Sequence, residues 1–304
     1  MRRIVFVVGP TAVGKTEVAL HLARLIDAEI ISCDSMQVYK HMDIGTQKPS
    51  LQQRKKIRHH MIDIISPSRN FSAAEFRKKA LGYIENIYKK GKTPLFVGGG
   101  ALYMKALIDG LFAGPSADRA LRQKLLKEER LNGKGYLYNR LVKADPETAE
   151  NLHPNDTRRI IRALEVYIKT DRPISELKRQ TKGLRGKYDI RIFALNRRRL
   201  QLYDRIEKRV DKMFTQGFLK ECRFLKDKRL SLTASKALGY KEVFDYLDSK
   251  ISLREAKELI KKNTRHFAKR QLSWFRNDER IAWIDIGEKS AEDIAKDISL
   301  LCMR

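Results

Sequence analysis

The chain predicts an α/β fold: a P-loop NTPase-like parallel sheet flanked by helices, with a helical insertion domain and a helical C-terminal region. Three observations predict it. Residues Gly9 to Thr16 read Gly-Pro-Thr-Ala-Val-Gly-Lys-Thr, a complete G-x-x-x-x-G-K-[ST] loop between an apolar run, Ile4–Val8, and a helix-like stretch, Glu17–Ile26. Short apolar runs alternate with helical patterns through the N-terminal third of the chain. The strand signal vanishes from Gly114 to about Asp189 and returns at Ile190–Leu195.

Taken in order, Ile4–Val8 is the first strand. The loop after it comprises Gly9, Pro10, Thr11, Ala12, Val13, Gly14, Lys15 and Thr16. Its glycines permit a tight turn in which successive N–H groups face one anion. Lys15 adds a positive charge, Thr16 offers a hydroxyl to a bound Mg²⁺, and the following helix adds the partial positive charge of its N-terminus. A polyphosphate ligand follows. The helix spans Thr16–Ile26, and Ile30–Ser32 is a second strand that leads into Asp34. Ser72–Tyr88 is a helix, because Ser72 and Glu75 form a capping box. Pro94–Val97 is a third strand, ending in Gly98-Gly99-Gly100. Ligands of parallel sheets sit at the carboxyl ends of strands, so the loop, Asp34 and the triple glycine are expected to cluster.

In the insertion, Pro115–Asp118 opens a helix on which Leu121, Leu125 and Leu126 recur at helical spacing. His153–Asp156 reads as another helix start, continued by Arg159–Lys169, and Thr181–Lys187 as a mobile basic loop. Ile190–Leu195 rejoins the sheet, and the remainder is helical apart from a last strand at Ile281–Ile286. The division expected is a core of residues 1–113 and 190–304 with an insertion at 114–189.

The 304 residues are 42% hydrophobic, enough for a packed core. No apolar stretch approaches the roughly 18 residues of a membrane span, and the short apolar run after Met1-Arg2-Arg3 is a core strand rather than a signal peptide. Cys33, Cys222 and Cys302 are scattered, with no C-x-x-C pair, which argues against a disulfide framework or a zinc site. A cytoplasmic monomer is the expectation. The net charge is +27, with the excess spread along the chain, and a globular protein this basic binds a polyanion, nucleic acid above all.

Four constellations carry chemistry. Asp34-Ser35-Met36-Gln37-Val38-Tyr39 follows a strand. Asp34 there holds Mg²⁺ through water, accepts a proton from a nucleobase amine, or caps the next turn, while Ser35, Gln37 and Tyr39 bring groups that read or stack on bases. Gly98–Tyr103 allows close backbone approach to a ligand. Arg158 and Arg162 share a helix face with Arg159 nearby, a phosphate-gripping pattern or a solvated basic face. In His266–Arg276 basic residues interleave with aromatics on a helix; Lys236–Lys241 is similar, with Tyr240 a stacking candidate and Lys236 and Lys241 phosphate contacts. His59-His60 lacks further ligand spacing and reads as structural or weakly RNA-facing. These residues alone leave open a phosphate-loop kinase of a nucleoside or small metabolite, and an RNA-binding protein switched by a nucleotide.

Together the chain resembles the isopentenyl-tRNA transferase family. The resemblance covers roughly residues 4 to 285 and rests on Gly9–Thr16, Asp34–Tyr39, Met42–Thr46 with Lys48-Pro49, Gly98–Tyr103, Pro115–Asp118, His153–Tyr167, Ala237–Glu242 and Lys269–Arg276. Only the phosphate loop is specific by itself; the order and spacing of the set are highly specific. The bacterial form, without the C-terminal zinc finger of eukaryotic members, is the expectation. The resemblance implies transfer of a dimethylallyl group from dimethylallyl diphosphate to N6 of adenosine 37, beside the tRNA anticodon, with release of diphosphate. It implies that the loop Gly9–Thr16 holds the diphosphate with Mg²⁺ at Thr16, that Thr11 lies near the prenyl donor, and that Asp34 is the general base beside Lys15 and Thr16. It also implies tRNA contacts at Asp34, Ser35, Met36, Gln37, Gly100 and Arg122; at Arg158, Arg159, Ile160, Ile161 and Arg162; at Lys236, Ala237, Leu238, Gly239, Tyr240 and Lys241; and at Lys269, Arg270, Gln271, Leu272, Ser273, Trp274, Phe275 and Arg276. One departure stands out: Gly100 and Ala101 occupy positions where the family usually has Thr and often has Gly. Gly100→Thr is therefore expected to keep or raise activity.

Overall fold

The computed structural model describes residues 1–303. Strands β1 (Arg3–Val8), β2 (Ala28–Ser32), β3 (His59–His60), β4 (Thr93–Gly98), β5 (Asp189–Asn196) and β6 (Ile281–Asp285) form one sheet. All pairings are parallel, in the order β3-β2-β4-β1-β5-β6. Helices α1 (Lys15–Leu25), α2 (Leu51–Lys56), α3 (Ala73–Lys89) and α4 (Ala101–Ile108) come first. There follow α5 (Arg119–Asn132), α6 (Tyr136–Ala144), α7 (Pro146–Glu150), α8 (Thr157–Thr170) and α9 (Ile174–Arg179). After β5 come α10 (Arg199–Thr215), α11 (Phe218–Lys226), α12 (Tyr240–Leu247), α13 (Leu253–Arg276) and α14 (Ala291–Met303). None is long and apolar enough to cross a membrane.

Ile4–Val8 is a continuous apolar run because β1 is central and hidden on both faces. Phe6 stacks on Phe96 of the neighbouring β4, ring centroids 4.7 Å apart. On one face Val5 and Val7 join a core with Val18 and Leu22 of α1 and with Ile294 and Ile298 of α14. The capping box that starts α3 is formed: Glu75 N–H donates to Ser72 Oγ at 3.2 Å, and Ser72 N–H donates to Glu75 Oε2 at 2.8 Å. The one strand with no sequence signal is β3. It has no apolar run, and its two residues are held by pairing with β2 and by His60 Nε2, 2.7 Å from the buried Glu29 carboxylate.

The chain packs as two compact units, Met1–Leu107 with Arg185–Arg304, and Ile108–Leu184. The division lies several residues before the expected one at both crossings. Leu184 N–H donates to Ile108 O at 3.0 Å, which pairs the entering and leaving segments ahead of Gly114. Asp189 is already in register with Arg3 of the sheet. The smaller unit has its own core, in which Leu125 of α5 and Leu141 of α6 meet Ile160, Ile161 and Leu164 of α8. Asp118 and Asp156 cap α5 and α8.

Because the strands are parallel, the segments after β1, β2, β4 and β5 leave from one edge of the sheet. That edge carries Gly9, Asp34, Gly99 and Arg197, and it sets the location of the site.

Candidate active site

The loop after β1 turns where only glycine fits. Gly9 has φ 138°, and a Cβ there would lie 2.7 Å from Leu195 O of β5. Gly14 is the N-cap of α1 and supplies no side-chain cap, so the first N–H groups of the helix face outward unspent. Lys15 folds over the loop, its Nζ donating to Gly9 O at 3.0 Å and Pro10 O at 2.7 Å. Burial, helped by the nearby charge of Arg209 and opposed by Asp34, pulls its pKa down to about 7.

Arg209, on α10, had not stood out in so basic a sequence. Its guanidinium donates to Thr11 Oγ1 at 2.9 Å, and burial, opposed by Asp34, brings its pKa to about 10. One turn earlier Arg205 donates from Nε to Ala12 O at 2.9 Å. The signal was present as an i, i+4 arginine pair on one helix face. Above these groups lies a cavity of about 1530 Å³, lined by Thr11, Lys15, Thr16, Asp34, Gly98, Gly99, Arg205 and Arg209 and by the 40–54 segment. The loop, Asp34 and the glycines do cluster.

Asp34 is half-buried. Its Oδ1 accepts from Met36 N–H at 2.8 Å and from Gln37 N–H at 3.4 Å, so it does cap the next turn. Its Oδ2 has no partner among the described residues, which leaves that lone oxygen free for chemistry. The triple glycine lines the cavity at Gly98 and Gly99, and it also packs tightly against protein. Gly100 N–H donates to Cys33 O at 2.8 Å, and a Cβ at Gly100 would stand 2.5 Å from the same carbonyl. A Cβ at Gly98 would overlap that carbonyl too. Threonine at position 100 therefore needs the Cys33 backbone to move, which weighs against the expectation that Gly100→Thr keeps or raises activity.

Several residues expected at an RNA surface are instead spent on the protein. Gln271 bridges two site loops, accepting from Thr11 N–H at 2.8 Å and donating to Gly99 O at 3.0 Å. Gln37 accepts from Ser32 Oγ at 2.8 Å and donates to Thr46 O and Gln47 O, which leaves no free amide. Tyr39 is fully buried, its hydroxyl bonded to Thr233 Oγ1, so it does not stack on a base. Tyr240 is also fully buried, and its hydroxyl donates to Glu221 at 2.7 Å, which removes it as a stacking residue. The same carboxylate accepts from the N–H groups of Asp43, Ile44 and Gly45, so it fixes the Met42–Thr46 segment that lines the cavity. Gly239 is buried as well, and the side chains of Ala237, Phe275, Ile160 and Ile161 pack inward.

What stays exposed is cationic. On α13, Lys269, Arg270 and Arg276 face outward with Ser273, and Leu272 and Trp274 are half-buried between them. Lys236 is exposed, and Lys241 is exposed but paired with Asp245 at 2.6 Å. Ser35, Met36 and Leu238 are partly exposed. In the helical unit, considered by itself, Arg158 is exposed and Arg159 pairs with Asp156 at 2.5 Å. Arg122 and Arg162 both bind the buried Glu165, at 2.7 and 2.5 Å. Glu165 also accepts from Asp118 N–H at 2.7 Å, and despite its burial these bonds bring its pKa to about 2.

Hard oxygen donors suit Mg²⁺. The Thr16 hydroxyl at the second residue of α1 lines the cavity without a partner among the described residues, as does Asp34 Oδ2. No group of three or more His, Cys, Asp or Glu forms a metal cage among those residues, so a ligand's own oxygens and water complete any Mg²⁺ shell here.

Residues 37–278 match the IPP transferase family. The chain is 45% identical to the tRNA dimethylallyltransferase of Thermotoga neapolitana, over 99% of this chain and 98% of that protein. The full-length tRNA isopentenylpyrophosphate transferase of Bacillus halodurans superposes with a TM-score of 0.74 at 38% identity, covering 100% of this chain and 96% of that one. A eukaryotic dimethylallyltransferase, solved in crystallographic snapshots of its action on tRNA, superposes with a TM-score of 0.81 at 30% identity, covering 100% of this chain and 80% of that one.

Proposed function

The chain belongs to the IPP transferase family, and from that premise we propose that its cavity holds dimethylallyl diphosphate over the phosphate loop, against N6 of adenosine 37 in tRNA. The enzyme transfers a dimethylallyl group to tRNA. The observation that carries the site reading is the meeting of Lys15, Arg209 and the free Oδ2 of Asp34 on one cavity floor.

In the reaction the allylic carbon–oxygen bond breaks, its electron pair leaves on the diphosphate, and a carbon–nitrogen bond forms to N6. Negative charge grows on the leaving oxygens, and the loop N–H groups, Lys15 and Arg209 stabilise it. Mg²⁺ held at the Thr16 hydroxyl would neutralise part of that charge. An exocyclic amine is a poor nucleophile because its lone pair is delocalised. Asp34 Oδ2 accepts the N6 proton, while Oδ1 stays on the Met36 and Gln37 amides and fixes the carboxylate plane. The adenine leaves the anticodon-loop stack to reach this depth. Thr11, held by Arg209, stands beside the donor. The exposed face of α13 takes the tRNA backbone, and the protein acts as a cytoplasmic monomer.

A phosphate-loop kinase shares Gly9–Thr16 and Asp34, but it leaves the cationic face of α13 and the net charge of +27 without a role, and the relatives are prenyl transferases. Incubation with labelled dimethylallyl diphosphate, Mg²⁺ and tRNA, followed by digestion to nucleosides, should yield N6-prenylated adenosine. ATP turnover without that product would restore the kinase.

A further inference from the structure

We propose that a second anion site lies at the start of α10, where Arg197, Arg198 and Arg199 meet Lys269 and Arg276 of α13, and that it grips a phosphodiester of the tRNA backbone. The proposal rests on tRNA being the substrate, and it assigns a role to three arginines that the prenyl-transfer site does not use.

A separate cavity of about 530 Å³ lies there, lined by these five cations together with Asn196, Tyr203 and Asn277, and by no carboxylate. Arg198, Lys269 and Arg276 have no hydrogen-bond or ion-pair partner among the described residues. Arg197 and Arg199 bond the neutral oxygens of Gly287 and Tyr203, so no counter-charge faces the cations of this concavity. Arg197 is the most telling member. Its Nη1 donates to Gly287 O at 2.9 Å, but its Nε is buried with no partner. A buried donor left unpaired is destabilising, and it leaves part of the guanidinium's hydrogen-bonding capacity unspent in a residue that lines the cavity. Arg199 is pre-positioned: its Nε donates to Tyr203 Oη at 3.2 Å, and its guanidinium lies 5.2 Å from the Tyr203 ring centroid. Finally, Arg198 is the N-cap of α10 and provides no side-chain acceptor, so the first-turn N–H groups of this 17-residue helix add to the positive potential.

Five cations around one cavity exceed what a single free phosphate needs. They match successive phosphates of a chain, and Lys269 and Arg276 continue onto the exposed face of α13 beside Arg270. A polynucleotide backbone is therefore favoured over inorganic phosphate.

The test compares wild type with Arg198→Gln and with Arg198→Gln/Arg276→Gln, by filter binding of tRNA across a salt series. Both side chains are exposed, so folding should survive, and thermal melts check this. The single variant should weaken tRNA binding several-fold and make the slope of log affinity against log salt shallower by about 1; the double variant should shift it by about 2. Affinity for inorganic diphosphate, read at the phosphate loop, should stay unchanged. An unaltered tRNA affinity and salt slope would overturn the proposal. Loss of inorganic phosphate binding in the variants, with tRNA binding intact, would reassign the cavity to a free anion. If wild type itself binds no tRNA and forms no prenylated adenosine, the functional reading falls, and this proposal with it.

Discussion

The hydroxyl of Tyr240 donates to Oε1 of Glu221 at 2.7 Å, and the two side chains together clamp the segment that walls the large cavity. Glu221 accepts three consecutive backbone N–H groups, from Asp43, Ile44 and Gly45, an arrangement that usually binds an external anion. Here the anion belongs to the protein. The Tyr240 ring packs edge-on against Phe218, at 5.2 Å between centroids, and its hydroxyl proton is held firmly, with a pKa raised by burial and by the Glu221 charge.

Tyr240→Phe should therefore act on stability rather than on RNA. Losing one hydrogen bond to a charged acceptor lowers unfolding free energy by about 1.5–3 kcal/mol. Affinity for tRNA should stay within about twofold, less than 0.5 kcal/mol. Denaturant unfolding and filter binding on the same preparation separate the two. A tRNA affinity loss above tenfold at unchanged stability would mean that Tyr240 leaves its pocket to stack on a base.

Asp34→Asn isolates the proton-accepting role. The amide oxygen of asparagine can still accept from Met36 N–H, so the turn survives, but the free oxygen becomes an amide NH2 group, which donates and cannot take up a proton. General-base contributions are typically 10²–10⁴-fold, so kcat should fall by roughly that factor. The affinity for tRNA should change by less than about tenfold, or 1.4 kcal/mol. Single-turnover prenylation and filter binding measure the two quantities; a variant that prenylates at the wild-type rate would remove Asp34 from the chemistry.

Lys15 predicts a pH dependence of donor binding. Its pKa is near 7 in the ligand-free site because burial and Arg209 disfavour the charge. A bound diphosphate favours the charged lysine, so above pH 7 binding must take up a proton. Below pH 7 the lysine is already charged and no uptake occurs. Affinity should then decline as pH rises above 7, by up to about 1.4 kcal/mol per pH unit. Calorimetry in buffers of different ionisation enthalpy reads the uptake directly. Lys15→Arg, charged throughout, should abolish the uptake that belongs to this residue whatever the ligand's own titration contributes.

Gly100→Thr tests the closeness of two loops. A Cβ placed 2.5 Å from Cys33 O requires backbone movement at the residue that precedes Asp34. The variant should lose kcat by at least tenfold and lose thermal stability, since the Gly100 N–H bond to the same carbonyl is strained with it. Gly100→Ala, which adds only the Cβ, should show most of both losses in prenylation assays and melts. Full activity in Gly100→Thr would show that the Cys33–Gly100 contact relaxes without consequence.

The features legible in the sequence were those with strong local causes. Ile4–Val8, the phosphate loop and the Ser72–Glu75 box each specify their conformation within a few residues, and all are present. Asp34 was recognisable because it ends a strand. Features set by long-range partners were not legible. The β3 strand depends on Glu29, thirty-one residues away from His60. Tyr39, Gln37 and Tyr240 look like surface readers amid charged neighbours, yet Thr233, Thr46 and Glu221 draw them inward. Arg209 was hidden by abundance: in a chain with 64 Lys and Arg, only burial beside Thr11 distinguishes it.

The helical unit makes one more prediction, from Glu165. Its side chain is wholly buried and receives Asp118 N–H, Arg122 and Arg162, so the charged form is strongly favoured in the folded state. A carboxylate whose folded pKa is about 2, against an ordinary 4.5, binds fewer protons folded than unfolded between those values. Its contribution is therefore fully present above pH 4.5 and is lost as pH falls through 2. The size is on the order of 3 kcal/mol. Glu165→Gln removes the titration, and it leaves two arginines facing a neutral amide, so the variant should be less stable at pH 7. The gap between the two proteins should close as the pH drops, because wild type then protonates the same oxygen. Urea unfolding of both proteins from pH 7 to pH 2.5 measures this. A gap that stays constant with pH would mean that Glu165 stabilises the unit by packing, with its charge making no net contribution.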